Sequence, residues 1–145
     1  MQRGLSRWTL AWLLACVVCV AHIADEVYNG SYGFYSDLVS ILAFVSPAIQ
    51  LAPFQFDVWL LNISGAMIVM FALTPLVHIQ RPIMVLASYV FALMLTANAT
   101  MHIAFSLSAN KALAGIQTSP LLLIAGLFLF TSIPSKLENS IAKTA

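Results

Sequence analysis

Four stretches of the chain run almost without interruption through apolar side chains, each about as long as a bilayer-spanning helix. The first, Trp8 to Tyr28, opens after Arg3 and Arg7 and closes at the turn signal Asn29-Gly30-Ser31. The second runs from Phe56 to Val77 and stops before His78 and Arg81. Pro82, favoured in the first turn of a helix, starts a third that continues through Tyr89, Phe91 and Met94 to Leu107. The fourth covers residues 116–133, entered at Ser119-Pro120 and ended near Ile133-Pro134. Leu38 to Ala52 is apolar too, but it has only 15 residues, is broken by Pro47 and is closed by Pro53. That is short against the roughly 20 residues of a crossing.

Composition decides the solvent. Of the 145 residues, 61% are hydrophobic and 8% charged, where a soluble domain carries about 25% charged residues. An ordinary water-soluble fold is excluded, and no separate soluble domain fits. The net charge of +1, with no basic stripe, gives no footprint for a nucleic-acid partner. The expected architecture is an all-α membrane protein, one integral domain over residues 1–145, with four transmembrane helices in an antiparallel-type bundle.

Charge fixes the orientation, because cytoplasmic loops collect Lys and Arg. Four crossings with the N-terminus inside place Arg3, Arg7, Arg81, Lys136 and Lys143 in the cytoplasm and only Lys111 outside, five against one. A fifth crossing at Leu38 to Ala52 makes the division three against three. That segment therefore reads as a short interfacial or re-entrant helix, capped by Ser36-Asp37 and flanked by Tyr32, Phe34, Tyr35, Phe54 and Trp59 at headgroup depth. Leu13-Leu14-Ala15-Cys16 loosely resembles a lipoprotein cleavage box, but the apolar run continues to His22, which is the length of an anchor. Cys16 and Cys19 form a C-x-x-C pair that falls mid-membrane, where small apolar filling is expected and a disulfide is not.

Ionisable groups inside such helices are functional candidates by default, since each costs a few kcal/mol in hydrocarbon. Only five acids exist, and Asp25 and Glu26 stand together at the end of the first helix with His22 one turn earlier. Positions i, i+3 and i+4 share a helix face. The third helix repeats the device with Asn98 and His102, and the second adds Asn62. Counted at 1.5 Å per residue from the cytoplasmic ends, His22, Asn62 and Asn98 lie at about 21, 22 and 24 Å, in one layer. Asp25, Glu26 and His102 fall one turn further out, where Gln117, Thr118 and Ser119 could cover them. The pattern describes a site near the outer face.

The order H-I-A-D-E (His22 to Glu26), Asn62, N-A-T-M-H (Asn98 to His102), then a Gly-containing loop and T-S-P-L-L-L (Thr118 to Leu123) resembles the HXXEE family of small bacterial membrane proteins. The likeness covers roughly Ala21 to Phe130, with Asp25 standing where the family has its first Glu. It implies a four-helix arrangement in the bacterial inner membrane and metal or acid-base chemistry rather than one defined reaction, and the charge count adds that both termini are cytoplasmic.

Three readings of the cluster stay open. In the first, His22, Glu26 and His102 hold a divalent metal, zinc or iron, with Asp25 and Asn98 as further ligands or supports. Such a site could activate water for hydrolysis of a membrane lipid or lipid-like small molecule, with Glu26 or Asp25 as general base. In the second, an acid and a His act without metal on an apolar ligand, as in the emopamil-binding sterol isomerases, whose H-x-x-x-E spacing His22 and Glu26 resemble within one helix. The third is a small proton- or cation-coupled carrier. Beside these stands plain structure. Asn62, Asn98, Thr118 and Ser119 can serve as interhelical glue at roughly 0.6 kcal/mol per contact, and His22, Glu26 and His102 as a buried ion pair. His78 reads as a solvated loop residue, Asp37 as a cap, Asp57 as an interfacial residue, and the methionines as gap-fillers, with Met101 beside His102 as a soft copper ligand at most. The small residues Gly65, Gly115 and Gly126 let backbones approach and carry no chemistry. The three N-x-S/T triplets at Asn29, Asn62 and Asn98 are set aside as glycosylation acceptors. The chain could work alone or as a homo-oligomer.

Overall fold

Ser6 starts the first helix. Its backbone is extended (φ −67°, ψ 156°) and its hydroxyl accepts the N–H of Thr9 at 3.1 Å, one of the donors that a helix start leaves unpaired. The computed structural model of the chain describes residues 4–30 and 55–134. Within them lie α1 (Arg7–Tyr28), α2 (Phe56–Ala72), α3 (Thr74–His78), α4 (Ile83–Ser108) and α5 (Ser119–Ser132), and the described residues contain no strand. The expected short helix at Leu38 to Ala52, with its aromatic flank, lies outside the described residues except for Trp59.

Among the described residues, three helical stretches are long and apolar enough to cross a membrane: Arg7–Tyr28, Phe56–His78 and Ile83–Ser108. The last helix, Ser119–Ser132, has 14 residues, or about 21 Å at 1.5 Å per residue, against a hydrocarbon thickness near 30 Å. The second stretch is not the unbroken helix expected from Phe56 to Val77. Pro75 has no N–H to donate and its ring crowds the preceding turn, so the ladder breaks at Leu73 and resumes as α3. One turn before the break the carbonyl of Met70 accepts the indole N–H of Trp12 at 3.1 Å, so a neighbouring helix satisfies backbone that the proline disturbs.

Contacts at both ends fix the helix directions. Arg7 at the start of α1 stacks over Phe128 near the end of α5, and Asp25 near the end of α1 meets Thr118 at the start of α5, so these two run antiparallel. Trp8 donates to Ser88 Oγ at 3.0 Å and His22 meets Asn98 at 3.1 Å, so α1 and α4 run in the same direction. Trp12 with Met70 sets α2 against α1. The tightest seam joins α4 to α5, where Gly126 is required: a Cβ there would stand 2.8 Å from Thr96 Cγ2 and 3.1 Å from the carbonyl of Ala92. Gly65 makes no such approach, with nothing within 4 Å of its Cβ position.

The core is built around Trp8 and Trp12, both wholly buried, with Phe91 edge-tilted against Trp12 at 5.4 Å. The outside is as apolar as the inside. Leu61, Ile68, Ile83 and Leu93 are each about two-thirds or more exposed (74%, 70%, 67% and 66%). Helices apolar on every side suit a hydrocarbon solvent, since in water such patches are a liability.

Candidate metal centre

His22 and Glu26 stand one turn apart on α1, and His102 comes from α4 to the same spot. His102 Nε2 lies 2.9 Å from Glu26 Oε1, and His22 Nε2 lies 3.7 Å from that same oxygen. One donor atom from each of the three residues falls within 4.8 Å of the others. All three side chains are buried, at 2%, 2% and 0% exposure. The imidazoles meet edge to face, their centroids 5.0 Å apart at 84°. Residues separated by most of the chain are thus gathered in an apolar interior that would reject each of them singly.

A hydrogen-bond chain orients His22. Thr118 donates its hydroxyl to Asp25 Oδ2 at 2.8 Å, so its one proton is committed to a carboxylate. Toward His22 the same oxygen is an acceptor, and Nδ1–H of His22 donates to it at 2.8 Å. Nε2 is then the nitrogen whose lone pair faces the cluster, the tautomer a metal needs. On that side stand Glu26 Oε1 and, at 3.1 Å, Asn98 Oδ1.

Asp25 is placed apart from its neighbour Glu26. Its carboxylate accepts from the Thr118 backbone N–H at 3.1 Å, from the Thr118 hydroxyl and from the side chain of Asn29. Successive helix positions diverge by about 100°, and here the two adjacent acids part, Glu26 toward the imidazoles and Asp25 toward Thr118. Asn62 also stands apart from the cluster. The face of α2 that looks toward the cluster carries Trp59, Ile63, Ala66 and Met70, and Asn62 lies off it, exposed. Ser119 is buried, and its hydroxyl donates to the carbonyl of Gly115 at 2.7 Å, fixing the turn rather than touching the histidines.

That turn contains the residue sequence reasoning missed. Gly115 has φ +81°, and a Cβ on it would lie 2.9 Å from His22 Cε1 and 3.0 Å from both Cε1 and Nδ1 of His102. Only glycine lets the α4–α5 connection close over both imidazoles. Its signal in the sequence was a lone Gly between Asn98-x-x-x-His102 and Thr118, read as mere packing. The remaining neighbours match their expected surroundings: Asp57 is exposed in the first turn of α2, His78 is exposed, and Cys16 and Cys19 are buried as free thiols.

On the other side of the cluster lies a cavity of about 560 Å³ whose wall includes His22, Glu26 and Asn98 together with apolar side chains of α2 and α4. A volume of this size is that of a small-molecule site. No family model, curated protein or solved structure matches the chain.

Proposed function

We propose that the chain is a four-crossing protein of the bacterial inner membrane, of the HXXEE type, in which His22, Glu26 and His102 hold a divalent metal, zinc or iron, and act on a lipid-like substrate. Of the residues that carry the resemblance to that family, His22, Glu26, Asn98, His102 and Thr118 meet at one place, and Asn62 does not. In this reading α5 is the fourth crossing, both termini are cytoplasmic and the cluster lies toward the outer face.

The observation that carries the proposal is the buried meeting of two imidazoles and one carboxylate. Zinc–ligand bonds of about 2.0–2.1 Å at tetrahedral angles put donor atoms roughly 3.3 Å apart, and the separations of 2.9 and 3.7 Å lie on either side of that value. The facing lone pairs of His22 Nε2, Glu26 Oε1 and Asn98 Oδ1 favour a cation for the same reason. When bound, the metal supplies Lewis acidity at a site with an open position. The protein's own part is to hold the three donors, to fix the tautomer of His22 through Thr118 and Asp25, and to admit an apolar substrate from the cavity side while the Gly115 turn closes the other.

One contact favours a second reading. His102 Nε2 and Glu26 Oε1 are at hydrogen-bonding distance, 2.9 Å, a ready acid-base pair that needs no metal. Elemental analysis of detergent-purified protein beside His22→Ala and His102→Ala separates the two. The metal reading expects one equivalent in the parent and none in either variant. Parent protein free of metal after purification with added zinc or iron overturns it in favour of the acid-base pair.

A further inference from the structure

The cavity beside the cluster is long, and it is polarised. Along α4 its wall runs from Asn98 to Ile83, and along α2 from Trp59 to Met70, which at 1.5 Å per residue is about 22 Å on one side and about 16 Å on the other. Each leaflet contributes half of the roughly 30 Å hydrocarbon core, so a lipid chain in a membrane is about 15 Å long. Glu26, His22 and Asn98 stand at one end, and from Ile63 to Ile83 the described wall carries no charged side chain. On the α4 side Leu86, Val90 and Met94 line the cavity and are also exposed, at 61%, 49% and 62%. In a membrane that side faces lipid, so a chain can enter sideways without crossing water.

Charge selects the head. On the reading proposed above, a divalent ion is met by one carboxylate, Glu26, and by two imidazoles that are neutral when they ligate, which leaves the filled site with a net positive charge. An anionic oxygen donor complements it.

The geometry points to a single-chain carboxylate lipid, a long-chain fatty acid, as the ligand, its carboxylate at the His22–Glu26–His102 cluster and its chain lying between α2 and α4 toward Ile83. The inference rests on the metal reading for the head group and on the shape of the groove for the chain, and the two parts fail separately. Ala66 lines the groove from α2 and is exposed, so Ala66→Phe narrows the groove without touching the cluster or the buried core.

The test is binding of palmitic acid to the full chain in phosphatidylcholine nanodiscs, read by native mass spectrometry, with caprylic acid for comparison. Metal-loaded protein should take one palmitate and saturate, bind caprylate at least tenfold more weakly, and lose palmitate affinity at least tenfold in Ala66→Phe with its metal content unchanged. Chelation should weaken palmitate by a similar factor. A second readout does not depend on that variant: bromine-labelled stearic acid should quench Trp59 in the groove wall, and the quenched component should vanish in Trp59→Phe, since Trp8 and Trp12 are buried outside it. Uptake that never saturates, equal binding of the two acids, or unchanged binding in Ala66→Phe with Trp59 unquenched overturns the groove. Metal-loaded protein that takes no palmitate overturns it too and leaves the metal centre standing. Protein that holds no metal yet saturates with one palmitate, lost in Ala66→Phe, keeps the groove and sinks the metal reading.

Discussion

The Nδ1 atom of His22 lies 2.8 Å from the hydroxyl of Thr118, although 96 positions separate the two residues. Because that hydroxyl already donates to Asp25, the contact holds His22 in one tautomer and one ring orientation. Outer partners of this kind typically change metal affinity by 10–100-fold. Thr118→Val should therefore weaken metal binding by that range in a competition titration with a chromophoric chelator, while Thr118→Ser, which keeps the hydroxyl, should bind as the parent does. Equal affinities for Val and Ser would show that the contact positions nothing.

Gly115→Ala should damage the site and the fold together. The left-handed backbone alone costs about 1–2 kcal/mol for a residue with a Cβ, and the new methyl would press on both imidazoles at 2.9–3.0 Å. Thermal unfolding should show a loss of at least that size, and the purified variant should carry less than a full equivalent of metal. Gly65→Ala, in the middle of α2 with nothing within 4 Å of its Cβ, should leave metal content unchanged and hold or raise stability, by up to about 1 kcal/mol.

The two asparagines divide in the same way. Asn98 holds its Oδ1 3.1 Å from His22 Nε2, on the side of the ring where a metal would sit. Asn98→Leu takes that oxygen away from the cluster and should lower metal affinity. Asn62→Leu, on an exposed face of α2, should leave metal affinity as it is. A drop in affinity from Asn62→Leu equal to that from Asn98→Leu would place Asn62 at the site after all.

How far the chain could be read from its letters depends on which physical constraint a residue answers to. His22, Glu26 and His102 were legible because ionisable groups inside apolar runs need partners, and i, i+4 spacing with a depth count tells which partners are available. The helical stretches were legible because apolar runs of about 20 residues, nearly uninterrupted, read as helices. Asp25 and Glu26 could not be sorted from one another, since which of two adjacent acids faces inward is set by how α1 rolls against α4 and α5. Asn62 matched the depth of the site but not its direction, because depth follows from counting and direction from packing. Gln117, Thr118 and Ser119 were three polar residues in a row, and only the turn at Gly115 decides that Thr118 meets His22, that Ser119 holds the Gly115 carbonyl and that Gln117 is exposed. Pro75 was plain in the sequence, and its consequence, the break at Leu73 with Trp12 answering it, was overlooked inside a long apolar run.

The last prediction tests whether the seam between α4 and α5 sets the geometry of the cluster from a distance. Gly126 sits two turns along α5 from Thr118, with Ala92 and Leu95 of α4 directly against it and no contact to any histidine. Gly126→Leu would force the two helices apart, because its first carbon alone would stand 3.1 Å from backbone that cannot yield. His102 rides on α4 and Thr118 on the start of α5, so the separation should pull the Asp25–Thr118–His22 chain away from the second imidazole. A helix seam that matters only for stability would lower the unfolding temperature and leave metal affinity intact in the protein that remains folded. If the seam positions the site, Gly126→Leu should weaken metal binding at least tenfold at a temperature where it is fully folded, and Gly126→Ala should fall between it and the parent. Measuring metal affinity on the folded fraction of both variants distinguishes the two outcomes.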